Sequence, residues 1–125
     1  MKSALIVEDE KSLQEIYKTY FDYLKFGEVV VPEDSLDAFM LATQRKFSII
    51  VLDYRMPIIN GGVFLKKLRQ NPGPNQHTPV LFISGYIAEM YQLVQDLNNT
   101  IFLDKPVKLD TFTRNVNMLV PEAAS

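Results

Sequence analysis

The chain has 125 residues and a mass of 14.4 kDa, the size of one ordinary domain. Hydrophobic residues make up 47%, which excludes a disordered chain, and 13 basic against 15 acidic residues give a formal charge of −2, which argues against a nucleic-acid binder. Cysteine is absent, so disulfide scaffolds, thiolate metal sites and thiol nucleophiles are excluded. No segment approaches the ~20 apolar residues of a membrane helix. The first apolar run, residues 4–7, gives way at once to Glu8, Asp9 and Glu10, unlike a signal peptide. The expectation is a soluble cytoplasmic protein, without membrane or nucleic-acid partners, forming one domain over residues 1–125.

In chain order, residues 4–7 are a short continuous apolar run and read as the first strand. Leu13, Ile16, Tyr17, Tyr20, Phe21 and Leu24 then make one helical apolar stripe, with Ser12 and Glu15 spaced as a capping box and Gly27 as the stop. Residues 29–31 form the second run. Leu36, Phe39, Met40 and Thr43 follow as a second stripe, with Asp34 or Ser35 as N-cap. Residues 49–52 are the strongest run, and Asn60-Gly61-Gly62 opens a third helix carrying Phe64, Leu65 and Leu68. A loop over 71–79, rich in proline and holding the lone histidine, His77, leads to the fourth run at 80–83. His77 and the tyrosines Tyr17, Tyr20 and Tyr23 read as surface, packing and rim residues. Ile87, Met90, Tyr91, Val94 and Leu97 form the fourth helical stripe. Residues 101–103 are the fifth run, and Leu109, Phe112, Val116 and Leu119 the last stripe, ended by Pro121. Continuous apolar runs suit strands buried on both faces. Their alternation with helices predicts an α/β doubly wound fold built on a parallel sheet.

In an open parallel sheet, ligands bind beyond the carboxyl ends of the strands. Glu8 and Asp9 follow the first strand, Asp53 ends the third, Ser84 ends the fourth, and Lys105 and Pro106 follow the fifth. Each alone has an ordinary reading: a helix cap, a strand-end turn, a surface lysine. Together they place three carboxylates, a hydroxyl and an ammonium at one edge. Like charges held close repel, and a hard divalent cation relieves the conflict. Donors beside such a cation suit a phosphoryl group, and a carboxylate can itself be the nucleophile.

The motifs Leu5-Ile6-Val7-Glu8-Asp9-Glu10, Val51-Leu52-Asp53-Tyr54-Arg55-Met56-Pro57 with Asn60-Gly61, Phe82-Ile83-Ser84-Gly85-Tyr86 and Leu103-Asp104-Lys105-Pro106 resemble those of the receiver domains of two-component response regulators. The resemblance covers essentially the whole chain. It implies a flavodoxin-like, CheY-like sheet of order 2-1-3-4-5 with five helices. By this resemblance Asp53 is the phosphoacceptor, and Glu8, Asp9, Asp53 and the backbone carbonyl of Arg55 hold Mg²⁺ or Mn²⁺. Ser84 and Lys105 bind the phosphoryl group, Phe102 is the aromatic switch, and Pro106 follows Lys105 through a cis bond. Arg55 and Tyr86 occupy the flanking positions that tune the lifetime of the phosphoryl group. The implied donor is a histidine kinase or a histidine phosphotransfer protein. The implied output is a target protein bound at the face of the fourth helix, fifth strand and fifth helix.

Some residues depart from the family pattern. Glu8 stands for the commoner Asp, Ser84 for the commoner Thr, and Asp104 beside Lys105 competes for its ammonium. Other functions fit less well. An aspartate-based phosphohydrolase wants a second acid two residues after the nucleophile, where Arg55 stands. A nucleotide or flavin module wants glycines after the first strand, where this chain has acids. A receiver that works without phosphorylation has no need of the complete constellation. The expectation is therefore a stand-alone phosphoacceptor signalling domain, not an enzyme, with no DNA-binding output domain.

Overall fold

A computed structural model of the chain describes residues 1–85 and 98–121. The elements are β1 (Ser3–Val7), α1 (Lys11–Tyr23), β2 (Glu28–Val30), α2 (Ser35–Gln44), β3 (Ile49–Leu52), α3 (Gly61–Gln70), β4 (Val80–Ser84), β5 (Thr100–Asp104) and α4 (Leu109–Leu119). All five predicted strands are present. The predicted helix of Ile87, Met90, Tyr91, Val94 and Leu97 lies outside the described residues, as does Tyr86. The strands form one parallel sheet of order β2-β1-β3-β4-β5, with Leu5 opposite Ile50 and Val51 opposite Leu81.

Side chains alternate across the sheet and feed two cores. Leu5, Val7, Ile50, Leu52, Val80 and Phe82 pack under α2 and α3 with Phe47, Phe64 and Leu65. Ala4, Ile6, Ile49, Val51, Leu81 and Ile83 pack under α1 and α4 with Tyr17, Phe21 and Phe112. The Phe112 ring meets Tyr17, Tyr20 and Phe21 at centroid distances of 5.9, 5.0 and 5.0 Å. Only β1, β3 and β4 are buried throughout. Strands β2 and β5 are half-buried, because the strand order puts them at the sheet edges.

The first helix starts differently from its sequence signal. Glu10 is the N-cap, without a side-chain cap bond, and its carbonyl accepts from Leu13 and Gln14 N–H. Ser12 is thus already inside the first turn, and the Ser12–Glu15 capping box does not form. The helix closes at Leu24, with Lys25 in the left-handed region at φ 64°. Gly27 instead donates to the Lys2 carbonyl and leads into β2. At α2 the cap is Asp34, whose side chain accepts from Asp37 N–H at 2.8 Å. At α3 Asn60 caps Val63 N–H at 2.9 Å.

The loop over 71–79 is ordered by two side chains. Asn75 is buried. Its Oδ1 accepts from Phe47 N–H and Thr78 Oγ1 at 2.9 and 2.8 Å, and its Nδ2 donates to the Ala42 and Arg45 carbonyls at 2.7 Å each. Arg69 donates to the carbonyls of Asn75, Gln76, Thr78, Asn98 and Asn99 over 2.6–3.4 Å. Among the described residues it has no carboxylate partner, and burial lowers its pKa.

Candidate functional site

The carboxyl edge of the sheet gathers the predicted residues. Val7 runs directly into Glu8 and Asp9, and Leu52 into Asp53, because β1 and β3 are paired in register there. Asp53 N–H donates to the Val7 carbonyl at 3.0 Å, which fixes the two strand ends together. Carboxylate oxygens of Glu8, Asp9 and Asp53 lie within 4.8 Å of one another. Glu8 and Asp53 are buried and Asp9 is exposed.

Lys105 reaches this group from the end of β5. Its Nζ lies 3.1 Å from Glu8 Oε1 and 3.1 Å from Asp53 Oδ1. Asp104, beside it, is exposed; the described ion pairs of Lys105 are those with Glu8 and Asp53. The Lys105–Pro106 peptide is cis, and Lys105 N–H donates to the Ser84 carbonyl at 3.1 Å. Ser84 is fully buried at the end of β4. Phe102, on β5, stacks on Phe82 at 5.6 Å between centroids. Arg55 is exposed on the β3–α3 connection.

The electrostatics follow from burial. Desolvation, then the charge of Asp53, pushes Glu8 up to about 7. Burial also raises Asp53, although the Lys105 ammonium pulls it down. Burial works against the Lys105 charge, but Asp53 and Glu8 outweigh it and its pKa is raised. Glu8 Oε2 accepts from Glu10 N–H at 3.1 Å. Glu8 Oε1 is buried, and its described partner is the Lys105 ammonium that it shares with Asp53. Three carboxylates, two of them buried, that share the Lys105 ammonium suit a hard divalent cation that takes oxygen ligands.

Residues 4–117 match the family model described as the response regulator receiver domain. The chain belongs to this family. The chemotaxis protein CheY-3 of Vibrio cholerae is 31% identical over 73% of this chain and 68% of its own length. The transcriptional regulatory protein YxdJ of Bacillus subtilis is 24% identical over 98% of this chain, which spans only 52% of that relative. The receiver domain of the Francisella response regulator 1452 superposes with a TM-score of 0.83 at 26% identity, covering 98% of this chain and 99% of the other. The receiver domain of the sensor histidine kinase PA1611 of Pseudomonas aeruginosa, solved with magnesium in its active-site cleft, shares the fold at a TM-score of 0.82 and 20% identity, covering 95% of this chain and 97% of the other. These relatives place the chain in two-component signalling. Among its described residues no helix is long and apolar enough to cross a membrane.

One residue beside this cluster was legible in the sequence only as the start of a helix. Ser35 donates to the Pro57 carbonyl at 2.7 Å and so ties α2 to the connection that follows Asp53. Its sequence signal pointed only to its own helix terminus.

Proposed function

We propose that this receiver domain accepts a phosphoryl group on Asp53, with Glu8, Asp9, Asp53 and the Arg55 carbonyl holding Mg²⁺ or Mn²⁺. The observation that supports this best is the buried Asp53 carboxylate, 3.1 Å from Lys105 and clustered with Glu8 and Asp9. The PA1611 receiver domain, of the same fold, carries magnesium in its cleft. When bound, the cation supplies positive charge that neutralises the phosphoryl oxygens. Lys105 would supply a second positive charge, and the buried Ser84 hydroxyl a hydrogen bond.

An oxygen of the Asp53 carboxylate attacks phosphorus. The bond to the donor's imidazole nitrogen breaks, and that nitrogen leaves with the electron pair. The donor is a histidine kinase or a histidine phosphotransfer protein, and the chain acts as a phosphoacceptor in a phosphorelay. Arg55 and Tyr86, the residues at the two variable positions of the family pattern, slow its hydrolysis. The signal passes from Ser84 and Lys105 to Phe102, and is read by a target protein on a face that includes β5 and α4, with Pro106 fixing the turn between them. Cytoplasmic placement follows from that donor.

The test is incubation with acetyl phosphate and Mg²⁺, read by intact mass. Wild type gains one phosphoryl group and Asp53→Asn gains none. Equal labelling of Asp53→Asn overturns the assignment.

A further inference from the structure

The connection after Asp53 contains a strained turn. Ile58 has φ 73°, and Ile59 N–H donates across it to the Pro57 carbonyl at 2.9 Å. This is a γ-turn of the positive-φ type, which is rare and strained, and more so at a β-branched residue. Burial does not offset the strain, since Ile58 is 67% exposed.

Ser35 holds the turn from outside. It is the first residue of α2 and only 4% exposed. Its Oγ donates to the Pro57 carbonyl at 2.7 Å and accepts from Ile59 N–H at 3.1 Å, so one hydroxyl bridges both ends of the turn. Asp34 already caps α2, so the Ser35 hydroxyl does not serve its own helix. The ends of the same connection are fixed separately, by Asp53 N–H on the Val7 carbonyl and by Gly61 N–H on the Tyr54 carbonyl at 2.7 Å. Between those anchors Met56 and Ile59 pack on the core beneath α2 and α3, and Ser35 holds the polar main-chain groups at both ends of the turn, the Pro57 carbonyl and Ile59 N–H. Ser35 and Pro57 also wall the same cleft of about 90 Å³ as Glu8 and Asp9, so the clamp is contiguous with the acidic pair.

We infer that Ser35 is a positioning residue for the cation site: its hydroxyl holds the γ-turn in its strained form and thereby keeps the Arg55 main chain in place to ligate the cation. This rests on the reading of Glu8, Asp9, Asp53 and Arg55 as that site. Without the hydroxyl, Ile58 relaxes toward negative φ and the connection populates other shapes. Cation affinity then falls by the fraction of molecules that leave the competent shape. Glycine at position 58 adopts positive φ without strain, so the turn then survives without the clamp.

Magnesium chloride titrations followed by NMR, on wild type, Ser35→Ala, Ile58→Gly and the double variant, test this. Thermal melts establish that each variant is folded. Ser35→Ala is expected to weaken Mg²⁺ binding by about threefold to tenfold, the range set by the lost competent population. Ile58→Gly alone leaves affinity near wild type, and the double variant regains most of the loss. A merely structural role would lower the melting temperature of Ser35→Ala without moving its Kd. The inference is overturned if folded Ser35→Ala binds Mg²⁺ like wild type, or if Ile58→Gly fails to restore it. Failure of wild type itself to bind Mg²⁺ would sink the cation reading, and this inference with it.

Discussion

Gly61 lies against Asp53 with no room for a methyl group: a Cβ there would stand 2.0 Å from the Asp53 carbonyl oxygen and 2.9 Å from Phe82 Cζ. The start of α3 is thus packed directly on the main chain of the proposed phosphoacceptor. Gly61→Ala must move either the helix or the strand end. Overpacking of this kind costs about 1–3 kcal/mol and sometimes more. Urea denaturation is expected to show a loss in or above that range, together with slower labelling by acetyl phosphate. A variant with wild-type stability and labelling rate would mean that α3 shifts freely.

Cation binding and stability are linked. Folding brings Glu8, Asp9 and Asp53 within 4.8 Å of one another, and their repulsion opposes it. Mg²⁺ held at the proposed site would favour the folded arrangement. It should add about 1 kcal/mol when free ion is about five times Kd, a rise in melting temperature of roughly 3–6 °C. Asp9→Asn relieves the repulsion and weakens the site. It should therefore melt higher than wild type in EDTA and gain less from Mg²⁺. Thermal melts with and without the ion decide, and an equal gain by Asp9→Asn would remove Asp9 from the site.

The pH dependence follows from Glu8, whose pKa is raised from 4.5 to about 7 on folding. A raised pKa means that the folded state binds the proton more tightly. The associated stability is fully present below about pH 4.5 and is lost as pH rises through about 7. The raised pKa of Asp53 acts in the same sense. In EDTA, wild type should therefore lose roughly 2–3 kcal/mol relative to Glu8→Gln between pH 5 and pH 8. Saturating Mg²⁺ should abolish that loss. Parallel pH profiles of wild type and Glu8→Gln in EDTA would show that Glu8 titrates normally.

Asn75→Ala removes four hydrogen bonds from a buried position and leaves Phe47 N–H and the Ala42 carbonyl without this partner. Each buried group so stranded costs about 1–3 kcal/mol, so a total loss of roughly 3 kcal/mol or more is expected. Chemical denaturation checks it. A loss below about 1 kcal/mol would mean that water replaces the side chain.

The strands and the site were legible in the sequence for the same reason. The runs at 49–52 and 80–83 are apolar throughout because β3 and β4 are buried on both faces, so the first polar residues after them, Asp53 and Ser84, stand out. The edge positions of β2 and β5 were not in their composition, since a short apolar run looks the same whether one or both faces are covered. The capping box at Ser12 failed because Glu10 was already serving as the N-cap. Ser35 and Asn75 were illegible for a different reason. The partners of Ser35 lie 22 and 24 residues away and those of Asn75, Thr78 apart, 28–33, and nothing local distinguishes the two from a helix-start serine and a loop asparagine.

Among the described residues, all five hydrogen-bond partners of Arg69 are main-chain carbonyls. The guanidinium therefore recognises the path of the chain and is indifferent to which side chains that path carries. Positions such as Gln76 and Asn98 can drift in sequence while the loop keeps its shape, whereas Arg69 cannot be exchanged even for lysine, whose donors radiate from one point and cannot span five carbonyls. A homologue with an unrecognisable loop sequence but an arginine at this position would be expected to fold the loop the same way.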